Sequence, residues 1–164
     1  MENEATSSEL MSLLNTAFAR ELQVSVQYML QHAIGAGRVL APFNSTPPDR
    51  RTTFIASHSL YFLPGWRLKK IAIVEMRHAE AIAERIVLLG GEPPSQPEVI
   101  TIGDTAIQML QNDRAQEQMA IDLYTHILAV AGGESDEMTV RLFRKILAEE
   151  RVHHRVFSNL LGEN

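Results

Sequence analysis

Four long segments in which apolar residues recur every three or four positions most constrain the fold of this chain. This spacing predicts α-helices, and no segment shows the two-residue alternation of a half-buried strand. Glycine or proline separates the segments from one another. The predicted helices are residues 8–34, 66–89, 104–131 and 135–161. The pattern favours an all-α four-helix bundle in one domain, residues 1–164, which is long enough to bury a core.

Local signals set the predicted helix ends. Thr6 followed by Glu9 resembles a capping box for the first helix, and Gly35 predicts its end. Ser135 is predicted to cap the fourth helix. The short third connection predicts that the third and fourth helices are antiparallel neighbours. The first connection, residues 35–65, is long for an interhelix loop, and its apolar residues predict either a cover over one bundle end or an oligomer contact.

Composition excludes several classes of protein. The chain has no cysteine, so disulfides and thiolate metal sites are excluded. A formal net charge of -5 without a basic run argues against nucleic acid or a membrane surface as a partner. No apolar run approaches the roughly 18 residues that span a bilayer. The first residues lack the features of a signal peptide, so we expect a cytoplasmic protein.

Ionisable residues lie on the predicted inward face of every helix. Two helices carry a Glu-x-x-His pair, whose members share one helix face, and the other two helices each carry a glutamate. These residues are Glu21, Glu75, His78, Glu117, Glu150 and His153. Burying four carboxylates without counter-charge would cost several kcal/mol for each. Two metal ions would remove that cost, and oxygen and imidazole donors without sulfur favour iron or manganese.

The second half of the chain repeats the spacing of the first. Glu21 and Tyr28 are seven residues apart, as are Glu117 and Tyr124. The two Glu-x-x-His pairs follow on the next helix in each half. The repeat predicts one helix–loop–helix pair used twice, with a longer loop in the first copy.

At these residues the chain resembles the ferritin-like superfamily, and bacterioferritins most among its members. The matching stretches touch all four helices and are residues 21–28, 73–79, 109–117 and 146–153. The resemblance implies two iron ions per chain, each held by one glutamate and one histidine, with two further glutamates bridging them. The implied sets are Glu21 with His78, Glu117 with His153, and Glu75 with Glu150 as the bridges.

The resemblance implies roles for four more residues. Tyr28 corresponds to the family's tyrosine beside the site, which donates an electron or hydrogen-bonds a carboxylate, and Tyr124 is its pseudo-symmetric partner. The alternative for both is core packing. Met76 stands where bacterioferritins supply a methionine to a shared haem b, although packing at an interface is the favoured interpretation here. Asp113 is predicted to receive the outer N–H of a liganding histidine.

Three departures from the family pattern limit the function. Cage-forming ferritins have a short fifth helix, and this chain shows no such helix after the fourth. The expected assembly is therefore a homo-oligomer, namely a dimer, rather than a hollow shell. Val74 stands where bacterioferritins usually have an aspartate, which favours iron chemistry over iron storage. Ala120 and the lack of cysteine disfavour a rubrerythrin.

The expected function is oxidation of Fe(II) by dioxygen or hydrogen peroxide at a dinuclear iron centre, which is ferroxidase activity. One alternative is a di-iron peroxidase or oxidase that does not store iron. Another is a structural interaction bundle without metal. The remaining acidic and histidine residues are predicted to be solvated or to lie in polar surroundings without an assigned partner, among them Glu9, Glu149, His154, His32, His58 and His126.

Overall fold

The computed structural model describes residues 6–40 and 65–163, and the side chains of residues 6–34 and 67–163. Within these residues the chain forms four α-helices and no strand, which confirms the all-α bundle. They are α1 (Ser8–Leu40), α2 (Gly65–Leu88), α3 (Ala106–Gly133) and α4 (Glu137–Leu161). Most of the predicted first loop, with His58, lies outside the described residues. None of the described helices is both long and apolar enough to cross a membrane.

The helices form two antiparallel pairs. α1 packs mainly against α2, and α3 mainly against α4, to which it is joined by three residues. Gly91, just beyond α2, lies against Met11 near the start of α1. Between the pairs, residues 89–105 form a crossover that runs back along α1, where Glu98 N donates to Ala19 O at 3.0 Å. The crossover therefore makes α2 and α3 run in the same direction.

Two apolar clusters fill the interior of the bundle. The larger lies at the end where α1 begins and includes Leu10, Ile86 and Phe143. The smaller lies toward the other end and includes Leu68 and Phe157. Burying a leucine or phenylalanine side chain contributes about 1.5–3 kcal/mol. The clusters therefore fix the inward rotation of all four helices, and the polar residues between them are carried into the interior.

Both ends of α1 differ from the prediction. Ser7, not Thr6, caps the helix, because its Oγ accepts a hydrogen bond from Leu10 N at 3.0 Å. The Ser7 hydroxyl also donates to Glu134, which ties the start of α1 to the end of α3. The predicted stop at Gly35 is wrong, and α1 continues to its end at Leu40. An interior glycine costs only about 1 kcal/mol, which is too little to end a long helix.

Asp136, not Ser135, caps α4. The Asp136 side chain accepts from Thr139 N at 3.1 Å, whereas Ser135 has a φ of 57°, outside the usual N-cap conformation. Arg85 of α2 donates to Asp136 at 2.6 Å. Burial opposes ionisation of Asp136, but hydrogen bonds from Arg85 and Thr139 outweigh it and lower its pKa. This cap also fastens α2 to α4.

A buried polar network joins α1, α3 and the crossover. Gln27 and Gln31 donate to Asp113 Oδ1 at 3.0 and 2.8 Å. Gln27 Oε1 accepts from Thr101 N of the crossover at 3.3 Å. The other Asp113 oxygen, Oδ2, has no hydrogen-bond partner. The prediction that Asp113 receives an imidazole N–H is therefore wrong, because Asp113 faces the glutamines of α1 instead of a histidine.

Replacing Asp113 tests the electrostatics of this network. Burial raises the pKa of Asp113 from 3.8 to about 7, although both glutamine hydrogen bonds oppose the shift. The unfolded chain therefore loses this proton at lower pH than the folded chain, so Asp113 contributes less stability as pH rises from about 4 to 7. Relative to Asp113→Asn, the wild-type chain should lose about 2 kcal/mol of unfolding free energy between pH 5 and pH 8.

Urea unfolding of both metal-free proteins at the two pH values measures this difference. The metal-binding residues are the same in both chains, so their own titration cancels in the comparison. A difference that does not change with pH would show that Asp113 is ionised throughout.

Candidate metal centre

Six ionisable side chains from the four helices meet between the two apolar clusters. All six are buried, and Glu75 is completely inaccessible to solvent. They are the residues predicted from the sequence, namely Glu21, Glu75, His78, Glu117, Glu150 and His153. The structure therefore brings together a set contributed by helices that are far apart in the chain.

The six side chains form two overlapping groups. In each group one ligand atom per residue lies within 4.8 Å of every other. The first group contains Glu21, Glu75, His78 and Glu150, and the second contains Glu75, Glu117, Glu150 and His153. Glu75 and Glu150 belong to both groups. Each group is suited to one metal ion, and the shared carboxylates are suited to bridging two.

Distances to the histidines support the bridging geometry. Glu75 Oε2 lies 3.0 Å from His78 Nδ1, while its Oε1 lies 2.7 Å from His153 Nδ1. Glu150 likewise places Oε1 2.9 Å from His78 Nδ1 and Oε2 3.8 Å from His153 Nδ1. Each of these carboxylates therefore spans the space between the two imidazoles.

Glu149 contacts the outer side of His78. Its Oε2 lies 2.6 Å from His78 Nε2, and its side chain remains 40% exposed. The expectation that Glu149 is simply solvated is therefore wrong. When Nε2 carries the proton of a neutral imidazole, it donates a hydrogen bond to Glu149, and the Nδ1 lone pair of His78 points into the cluster. This contact has no local sequence signal, because it joins α4 to α2 across the bundle.

The two tyrosines hold glutamates of the opposite half of the chain. Tyr28 on α1 donates its hydroxyl proton to Glu117 Oε1 on α3. Tyr124 on α3 donates to Glu21 Oε1 on α1. Both rings also pack in the core, with Tyr28 5.5 Å from Phe157 and Tyr124 5.3 Å from Phe143 between ring centroids. Each tyrosine therefore packs in the core through its ring and binds a carboxylate through its hydroxyl.

The crossed hydrogen bonds leave one oxygen of each of these glutamates free. Glu21 Oε2 and Glu117 Oε2 are buried and have no hydrogen-bond partner. Glu75 Oε1, Glu150 Oε1 and His153 Nδ1 also lack hydrogen bonds of suitable geometry, despite the short distances around them. Unsatisfied buried polar atoms are costly, and here four carboxylate oxygens and one imidazole nitrogen converge on one place. Metal cations would satisfy them all, so this donor set fits the two ions that the family resemblance implies.

Burial and mutual repulsion shape the ionisation of the cluster. Burial, followed by the charges of Glu75 and Glu150, raises the pKa values of Glu21 and Glu117. Burial alone would lower the pKa of His153, but the neighbouring Glu150 and Glu75 carboxylates raise it to about 10. The pKa of His78 is raised in the same way. Protonated histidines therefore provide the counter-charge when metal is absent.

The remaining candidates lie away from the cluster. Met76 is 48% exposed on α2. His126 lies 3.6 Å from Glu9 on the surface. His32 has a buried Nδ1 without a hydrogen-bond partner. Sequence reasoning missed the glutamine network, although Gln23, Gln27 and Gln31 recur every four residues on one face of α1.

Comparison with known proteins agrees with this geometry. A model of the ferritin family, described as the ferritin-like domain, matches residues 66–163. The bacterioferritin of Desulfovibrio desulfuricans is 34% identical over 158 residues, which cover 96% of this chain and 76% of that protein. An X-ray structure of a bacterioferritin from that species, which examined its diiron site in different catalytic states, superposes with a TM-score of 0.73. It is 33% identical and covers 94% of this chain and 79% of that chain.

A second solved structure supports the fold alone. The bacterioferritin BfrA of Mycobacterium tuberculosis superposes with a TM-score of 0.77 at 22% identity, and the match covers 95% of this chain and 86% of that chain. The chain therefore belongs to the ferritin family and, within that family, is a relative of the bacterioferritins.

Proposed function

We propose that this protein binds two iron ions and oxidises Fe(II) with dioxygen or hydrogen peroxide, as a ferroxidase. The observation that supports this most strongly is the pair of overlapping ligand groups with two shared carboxylates. The solved Desulfovibrio desulfuricans relative has a diiron site. Four ionised carboxylates and two neutral histidines would balance the charge of two divalent cations. Manganese prefers the same donors and is the alternative metal.

We assign the proposed metal ligands from the contacts that each carboxylate oxygen makes. Glu21 and His78 would hold one ion, and Glu117 and His153 the other, through Nδ1 of each histidine. Glu75 and Glu150 would bridge them. Tyr124 and Tyr28 occupy Oε1 of Glu21 and Glu117, so each of these glutamates would offer its free Oε2 as a single ligand atom.

When bound, a pair of Fe(II) ions supplies two electrons to one oxidant. The chain's own residues prepare the site for this chemistry. Glu149 would accept a hydrogen bond from His78 Nε2–H, which keeps Nδ1 available for a metal. The two tyrosines fix the orientation of the terminal carboxylates, and the apolar clusters exclude water from both ends of the site.

Stoichiometry separates ferroxidase activity from the alternative di-iron peroxidase or oxidase. A ferroxidase oxidises added Fe(II) beyond the two ions that fill the site, whereas a fixed cofactor needs an external reductant for each cycle. Metal analysis after iron-replete expression separates both from a metal-free structural bundle. We place this activity in the cytoplasm, where Fe(II) is available.

Neutralising a bridging carboxylate should disable the centre. In Glu75→Gln, one ligand oxygen and one negative charge are lost from both ligand groups. We expect anaerobic Fe(II) titration to give two ions per wild-type chain and fewer in the variant. After an oxygen pulse, oxidation followed by absorbance should be at least about tenfold slower, which is the effect of about 1.4 kcal/mol on the barrier.

Glu84→Gln is the matched control, since Glu84 is an exposed glutamate on the same helix. It should leave both stoichiometry and rate unchanged, and circular dichroism should show equal helicity in all three proteins. Wild-type stoichiometry and rate in Glu75→Gln would reject the proposed centre.

Removing the Tyr28 hydroxyl tests its role at the site. Tyr28→Phe keeps the packing against Phe157 but frees Oε1 of Glu117. We expect two Fe(II) ions still to bind, with oxidation slowed several-fold because the terminal carboxylate is less well oriented. Rapid-mixing absorbance measures the rate. An unchanged rate would mean that Tyr28 serves packing alone.

We further infer a homodimer formed through one apolar face of α1 and α2. The exposed apolar residues of this face are Val26, Met29, Leu30, Ile73 and Met76. Because the two helices are antiparallel, these positions lie at the same level of the bundle. A surface of this kind is typical of a protein interface. Met76 lies on it, and a haem absorption band that is present in the purified protein and lost in Met76→Leu would identify this residue as a haem ligand.

The double variant Met29→Glu with Ile73→Glu should be monomeric, because it buries two charges in the proposed interface. Analytical ultracentrifugation measures the mass, and Val87→Glu, at an exposed position outside that face, is the control. Equal masses for the double variant and the wild-type protein would place the interface elsewhere.

A further inference from the structure

A surface groove between α3 and α4 has lining residues that the metal centre does not use. Its volume is about 660 Å³, within the range of small-molecule sites. Ile121 of α3 forms one side. The other lining residues are Arg151, His154, Arg155, Ser158, Asn159 and Glu163. Most of them are hydrogen-bond donors carried by the last turns of α4.

The donors of α4 are held on one face by helix geometry. Arg155 follows Arg151 by four residues and Ser158 follows it by seven, so these side chains lie one above another. A long helix keeps them at fixed spacing without help from a loop. Two arginine side chains and a serine hydroxyl therefore line the groove from backbone positions that the helix fixes, with the Asn159 amide beside them.

The charge of the groove is positive in a chain whose formal net charge is -5. Its one carboxylate, Glu163, is paired with Arg114 of α3. Among the side chains of residues 6–34 and 67–163, no carboxylate lies within ion-pair distance of Arg151 or Arg155. Like charges four residues apart destabilise a helix by a few tenths of a kcal/mol. An anion between the two arginines would reverse that effect.

We propose that this groove binds an oxyanion of the phosphate class. Guanidinium groups donate paired N–H bonds that match the oxygens of a phosphate, and such charge-assisted bonds are stronger than neutral ones. Ser158 and Asn159 add neutral donors. The volume exceeds that of inorganic phosphate, so a free phosphate and a phosphorylated organic molecule share the required chemistry. The site requires none of the six candidate metal ligands.

Calorimetric titration of the full chain with phosphate, pyrophosphate and a nucleoside diphosphate tests the proposal. We expect saturable binding of at least one of them, with one site per chain. Arg151→Gln with Arg155→Gln should weaken it at least tenfold, and Ser158→Ala about threefold. The binding affinities should be the same for the protein as isolated and for the protein after a chelator has removed its metal, because the groove and the metal centre are separate.

Arg141→Gln with Arg144→Gln is the matched control. It makes the same change in net charge on exposed residues of the same helix, outside the groove. Binding within twofold of wild type in this control supports a specific site. The thermal melting of the groove variant should be equal to or above that of wild type, since like charges are removed. If the double variant fails to fold, Arg155→Gln alone serves, with Arg144→Gln as its control.

Three results would overturn the proposal. The first is the absence of saturable binding for all three anions. The second is an equal loss of affinity in the control pair, which would reduce the effect to net charge. The third is binding of a polyglutamate peptide that is tighter than binding of any of the three phosphates, which would assign the groove to an acidic protein partner.

Discussion

The close approach of four buried carboxylates is the interaction on which the rest of this structure depends. Like charges at this separation repel strongly where water is excluded, so the folded chain needs positive charge among them. Two histidines provide it when metal is absent, because their pKa values are raised by the carboxylates themselves. The apolar clusters on either side supply the folding free energy that holds the groups together.

The contacts of the individual carboxylate oxygens distinguish the four glutamates from one another. Glu75 and Glu150 reach both imidazoles, whereas Glu21 and Glu117 each have one oxygen held by a tyrosine and one oxygen free. The carboxylates are therefore of two kinds, although all four have the same chemical structure. Contacts outside the cluster also order the site, since Glu149 orients one histidine from the surface.

The sequence was sufficient to predict the four helices and the six clustered residues, because both follow from spacing along single helices. A residue placed three or four positions from a buried neighbour is itself directed inward. The helix ends were less predictable. Gly35 does not stop α1, and the cap of α4 is one residue later than Ser135, since tertiary contacts such as Arg85 with Asp136 decide between adjacent candidates.

Contacts between distant helices were the part that spacing did not reveal. The surroundings of Asp113 and Glu149 differ from those that spacing predicts, because their partners depend on how far one helix is rotated relative to another. The glutamines that bind Asp113 lie 86 and 82 residues away in the chain. Neither pairing has a local signature, and both become visible only when α1, α3 and α4 are placed side by side.

The crossed tyrosines have a consequence for how the two halves of this duplicated chain can diverge. Each helix pair supplies the hydroxyl that steadies a carboxylate of the other pair. A substitution that shifts Tyr28 or Tyr124 therefore alters a carboxylate of the other repeat. A change in one repeat must for that reason be compatible with the metal ligands of the other. The two repeats therefore depend on each other through these two hydroxyls, and neither terminal carboxylate is oriented by its own repeat alone.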